Sequence, residues 1–124
     1  MREKLSASTM IIVENFWRDM DGQRWQELPA YFTEDARIDW PNTDEQFDVA
    51  KFAEVNRNYP GNWSITIRKL LRADDDTIVS VVQVQDGETS FHATSFFKFR
   101  EGKIVSLDEY WGQDEPPPEW RRIK

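Results

Sequence analysis

Apolar residues return at Met10, Val13, Phe16, Trp17 and Met20, in steps of three and four that gather them on one helical face. The pattern predicts a first helix from Ser6 to a break at Asp21-Gly22. A shorter stretch, Arg24 to Phe32, sets Trp25, Leu28 and Phe32 on a common side and predicts a second helix. Glu34-Asp35 reads as a turn. Ala36 to Trp40 alternates as a short strand and stops at Pro41, which cannot donate to a ladder. Residues 41–47 are polar and turn-rich. Asp48 is placed to cap a third helix, with Val49, Phe52, Val55 and Tyr59 near one face, and Pro60-Gly61 ends it.

After Asn62 the apolar period changes from that of a helix to that of a strand. Trp63–Ala73, Thr77–Gln85, Glu88–Arg100 and Lys103–Gly112 read as strands, separated by Asp74-Asp75-Asp76, Asp86-Gly87 and Glu101-Gly102. Helices segregated ahead of an antiparallel meander make the chain α+β. Residues 1–124 show no repeat and no linker, so they read as one domain; 113–124 form a tail whose Pro116-Pro117-Pro118 excludes regular sheet or helix.

Composition narrows the function classes. The chain has 124 residues, 39% hydrophobic, with 6 Trp and 8 Phe, enough for a core built on bulky aromatics. Asp plus Glu number 23 against 16 Lys plus Arg, a net charge of -7. That balance argues against a nucleic-acid or anionic-membrane partner, since both need a concentrated basic surface. With 0 Cys and 1 His, thiolate zinc sites, iron–sulfur clusters, cysteine nucleophiles and multi-histidine metal centres are excluded. No metal and no cofactor is expected. Asp74-Asp75-Asp76 lacks further ligands at a recognised spacing and reads as a solvated turn. No apolar run approaches a membrane span and MREKLSASTM has no apolar signal core, so a soluble, cytoplasmic domain is expected.

The order of elements, together with Tyr31-Phe32-Thr33-Glu34-Asp35-Ala36, Phe97-Lys98-Phe99-Arg100-Glu101-Gly102-Lys103-Ile104 and the closing Glu109-Tyr110-Trp111, resembles the nuclear transport factor two-like superfamily, and within it the SnoaL-like proteins. The resemblance runs from about Ser6 to Trp111. It implies a cone: a strongly curved antiparallel sheet around three N-terminal helices, with an apolar pocket open at one end. Such cones serve isomerases, cyclases, dehydratases, epoxide hydrolases, carriers and dimerisation modules, so the pocket must decide. In the ketosteroid isomerase pattern the catalytic tyrosine falls at Phe16, the base at Trp40 and the protonated aspartate at Ser95. None can do that chemistry, and Asp39 beside the base position points to the other face of its strand.

Inward and outward faces follow from hairpin register. A two-residue turn at Asp86-Gly87 sets Val82 opposite Phe91 and Ile78 opposite Ser95. A three-residue hairpin with Gly102 left-handed sets Ala93 opposite Glu109 and Phe91 opposite Trp111, turning Glu109 inward. A two-residue turn there would turn Glu109 toward the His92 side; the first version agrees with the family pattern and is favoured. Glu109 then lies in a pocket walled by Phe16, Trp40, Phe91, Phe97 and Trp111, desolvated and fit for general acid or base work. The competing reading pairs it with an arginine or backbone amides. The resemblance to SnoaL-like cyclases implies a histidine partner on the preceding strand, but Ser95 stands nearest that position. Tyr31, Tyr59 and Trp63 are rim candidates. His92, Thr94 and Phe96 fall on the outer face, which the resemblance implies is a homodimer surface. Trp120, with Arg121-Arg122, is expected to anchor the tail on the domain or a partner. The expected function is binding of a small apolar molecule, with Glu109 as acid or base in a cofactor-independent cyclisation, isomerisation or dehydration. The alternatives are a ligand carrier or sensor without chemistry, and an adaptor acting through the outer face.

Overall fold

A computed structural model describes residues 2–122, with side chains from Thr9 onward. Ile123 and Lys124, at the end of the tail, and the side chains of residues 1–8 lie outside the described residues. Helix α1 spans Arg2–Asp21 and buries Val13, Phe16, Trp17 and Met20, the stripe its spacing predicts. The second helical stretch is a 3₁₀ segment, Trp25–Tyr31, with Pro29 inside it; a residue without an N–H cannot propagate an α ladder there. Helix α2, Val49–Asn58, begins where Asp48 accepts from Lys51 N at 2.8 Å and turns Phe52 fully inward.

Six strands follow: β1 Phe32–Trp40, β2 Glu45–Phe47, β3 Ser64–Asp74, β4 Thr77–Gln85, β5 Ser90–Arg100 and β6 Lys103–Gln113. They form one curved, unclosed sheet in the order β2-β1-β6-β5-β4-β3. All pairs are antiparallel except β1 with β6, which run parallel. The fold is the α+β cone of three helical elements against a sheet. Strand β1 starts four residues before Ala36, so Glu34-Asp35 is strand and not turn, and the ladder shifts register between Phe32 and Arg37. The short β2, within a segment whose polarity reads as loop, pairs Trp40 with Glu45.

Both hairpins differ in register from the sequence expectation while keeping its faces. At Asp86 the carboxylate accepts from Glu88 N and Thr89 N, holding a four-residue loop in which only Gly87 has positive φ. A two-residue type I′ turn would need positive φ at Asp86 as well. Ile78 therefore faces Phe97 and Val82 faces Ala93, a slip of two residues. At Glu101-Gly102 both residues are left-handed, φ 52 and 81, which makes a two-residue turn in place of the expected three-residue hairpin. A register shift between Lys98 and Phe99 then leaves Val105 extra on β6 and restores the parity, so Ser95, rather than Ala93, faces Glu109.

The narrow end of the cone is filled. Phe16 is fully buried and meets Trp17, Tyr31, Phe32, Phe52 and Phe97 at centroid distances of 4.9 to 6.4 Å. The Trp17 indole satisfies its N–H on Ser80 Oγ at 3.0 Å, which accounts for a fully buried serine on β4. Trp120 is 83% exposed, so it does not anchor the tail in the domain's core; Arg121 stacks over its ring.

Candidate functional site

At the wide end, the ends of α1 and α2, the β1–β2 loop and the inner face of β3 to β6 border a cavity of about 380 Å³ that opens to solvent on one side. Seven aromatic residues border it: Trp17, Trp25, Trp40, Tyr59, Trp63, Phe91 and Trp111. Five of these make a continuous chain of ring contacts, Trp40–Trp111–Phe91–Trp63–Tyr59, at 6.3, 6.4, 5.7 and 5.3 Å. Met20, Val55, Ile65 and Val84 complete the apolar lining, and Gln23, Asn42, Thr43, Glu45, Asn56 and Arg57 supply polar groups. Gly61 lets the chain turn sharply into β3: its φ is +122, and a Cβ there would stand 2.4 Å from the Trp63 indole nitrogen. That indole is anchored on Pro60 O at 2.7 Å. Asn42 holds the opposite wall by accepting from Trp111 N at 3.2 Å.

Glu109 lies beneath this chamber, 1% exposed. The parallel pairing of β1 with β6 sets Asp39 beside Asp108, which brings Trp40 level with Glu109. Trp40 Nε1 donates to Glu109 Oε1 at 2.9 Å, and Ser95 Oγ donates to Oε2 at 3.1 Å. No Lys, Arg or His pairs with Glu109 among the described residues. Burial pushes its carboxyl up to about 7, against the lowering effect of the Trp40 and Ser95 hydrogen bonds. The carboxylate does not border the cavity; Trp40 stands between them.

The residues read from the sequence thus separate into two groups. Trp40, Tyr59, Trp63, Phe91 and Trp111 come together around the cavity. Phe16, Phe97 and Ser95 do not border it and are fully buried, because large side chains close the narrow end of the cone. Tyr31 is also away from the rim: its hydroxyl bonds to the Asp19 carboxylate on α1. Trp17, Trp25 and the Asn42–Glu45 loop also border the cavity, a placement the sequence does not assign to them. Trp17 and Trp25 carried a signal, since indoles near a helix end are candidates for a cavity wall, whereas the loop had none.

His92 projects from the outer face, with Nδ1 2.6 Å from Asp114 Oδ1. Ser90 also donates to Asp114, and Gln83 donates to Ser90 Oγ at 3.0 Å. The Ser90 and His92 contacts hold the Asp114 carboxyl below the usual carboxylate range. Phe96 and Tyr110, 40% and 43% exposed, meet edge to face on the same surface. A wider hollow between hairpin tips is bordered by Asp74, Asp75, Asp76 and Glu101 and opens to solvent. Among the described residues no group of three His, Cys, Asp or Glu side chains is arranged to hold a metal. No described helix is long and apolar enough to cross a membrane.

The family model for the SnoaL-like domain matches residues 13–107. No curated protein matches the chain. Among solved structures, a candidate ketosteroid isomerase from Kribbella flavida DSM 17836 is 26% identical, with a TM-score of 0.81 over 95% of this chain and 90% of that one. An NTF2-like protein of unknown function from Burkholderia xenovorans LB400 is 18% identical, with a TM-score of 0.82 over 98% and 93%. An LEH-like epoxide hydrolase from M. tuberculosis is 15% identical, with a TM-score of 0.70 over 86% and 84%.

Proposed function

The chain belongs to the SnoaL-like family, and from that premise we propose that its aromatic cavity binds a small, largely apolar molecule. The observation that carries this reading is a cleft of about 380 Å³, open on one side, within the range of small-ligand sites and bordered by seven aromatic rings and a few polar groups. The test is ligand-dependent thermal stabilisation against small aromatic, steroid-like and polyketide-like compounds, repeated on Val84→Trp, which fills the chamber from β4. A binder of the native state raises the melting temperature by mass action. Stabilisation lost in Val84→Trp supports the reading; stabilisation unchanged by it places the ligand elsewhere.

A second reading rests on Glu109. A carboxyl whose pKa lies near 7 is suited to proton transfer at neutral pH, and a turn of the Trp40 side chain would open Oε1 to the cavity. The reaction would be a cofactor-independent cyclisation, isomerisation or dehydration in which Glu109 takes and returns a proton. Tyr59, which borders the cavity, is the polar group we assign to steady an oxygen of the substrate, since Ser95 is already committed to Glu109. The ketosteroid isomerase constellation is absent from this chain, so that name on a structural relative does not transfer. Glu109→Gln abolishing turnover with the fold intact supports this reading; surviving turnover refutes it. The outer face, with Val79, Val81, His92, Thr94, Phe96 and Tyr110, is the surface we propose for a homodimer. Sedimentation of the wild-type chain against Phe96→Lys tests it.

A further inference from the structure

The geometry points to a small organic cation, an alkyl- or arylalkyl-ammonium, as the class of molecule the aromatic cavity takes. This rests on the reading of that cavity as the ligand site. Consecutive rings along the wall are turned steeply against one another, 73° between Trp40 and Trp111, 82° between Trp111 and Phe91, and 53° between Phe91 and Trp63. Rings set this way present π faces in several directions, as the sides of a box do. Each face carries negative quadrupolar potential, and an alkylated ammonium offers apolar surface and positive charge at once.

The charges around the cage favour the same sign. Glu109 is a buried carboxyl with no cationic partner among the described residues, and it is one indole away from the chamber. Its hydrogen bond from Trp40 Nε1 draws electron density toward the Trp40 ring, strengthening that ring as a partner for a cation. Glu45, exposed like Arg57 and accepting from Thr43 Oγ1 at 2.6 Å, adds a carboxylate to the lining, and the C-terminal turn of α2, the negative end of the helix, borders it through Val55 and Asn56. Arg57 is the one opposing charge. It is exposed and sits in the last turn of α2, where a cation complements the helix end, so its presence has a cause other than a ligand.

The experiment titrates tryptophan fluorescence at about pH 8.5, where the Glu109 carboxyl is ionised, with three probes: benzyltrimethylammonium, its neutral isostere neopentylbenzene, and the anion 3-phenylpropanoate. The expected result is that the ammonium binds about tenfold tighter than the neutral isostere. Glu109→Gln should remove most of that preference without weakening the neutral compound, and Arg57→Gln should tighten the ammonium. Equal affinity for the ammonium and the isostere would overturn the cation assignment and leave the cavity reading standing. Tightest binding of the anion, lost in Arg57→Gln, would overturn it in favour of a carboxylate ligand. Failure of all three probes, with a neutral hit from the compound panel, overturns the cation assignment alone. Failure of every compound removes the cavity reading and this inference with it.

Discussion

Replacing Glu109 by Gln should make the protein more stable, and more so as the pH rises. The carboxyl titrates at about 7 in the fold against 4.5 ordinarily, because burial disfavours its charged form. A group whose folded pKa is raised contributes stability that is fully present below the unfolded value and lost as pH rises through the folded one. At ~1.36 kcal/mol per pH unit the gap amounts to ~3 kcal/mol, of which ~2.5 kcal/mol is lost between about pH 5 and pH 8. Gln mimics the neutral acid and keeps an acceptor for Trp40 Nε1, so the variant should not lose this amount. Asp108, raised by desolvation and by Asp39, acts in the same direction on the outer face, and the lowered Asp19, Asp35, Asp86 and Asp114 act in the opposite one at acid pH. These groups are common to both proteins and cancel in the difference. Urea denaturation of both at a series of pH values should show the variant gaining ~2.5 kcal/mol on its parent across this window, or roughly 10 °C in melting temperature. A stability difference that stays flat from pH 5 to pH 8 would refute the claim that Glu109 is an unpaired, desolvated acid.

Three further outcomes test the packing account. Phe16→Ala removes the ring on which five others converge and should cost ~3–5 kcal/mol by urea denaturation. Ser80→Ala leaves the Trp17 indole N–H buried without its acceptor and should cost ~1–3 kcal/mol, with a changed near-ultraviolet dichroism reporting the shifted indole. Asp48→Ala removes the cap of α2 and should cost ~1 kcal/mol, while Asp48→Asn, which keeps an acceptor for Lys51 N, should be nearly neutral in the same assay.

Much of this architecture is legible in the sequence because it is local. The stripe from Met10 to Met20, the Asp48 cap and the alternation of Thr77–Gln85 each need only near neighbours to be read. The inward face of Glu109 is legible for a subtler reason: both hairpin registers miss by two residues, and a shift of two preserves the side of a strand. The unread features are non-local. Nothing near Ala36–Trp40 announces that this strand will run parallel to β6, yet that pairing brings Trp40 over Glu109. Likewise, spacing assigns Phe16 and Phe97 to the inner side of the cone but cannot say how deep they lie. The cone fills with rings at its narrow end, so both become core and the open chamber moves toward Trp25, Trp63 and Trp111.

The most direct test of a ligand-binding cavity is a crystal structure of the protein with the compound that most raises its melting temperature. The account predicts that compound seated among Trp40, Trp63, Phe91 and Trp111, in the chamber above Glu109. A compound bound instead across Phe96 and Tyr110 on the outer sheet face, with the chamber empty, would contradict it.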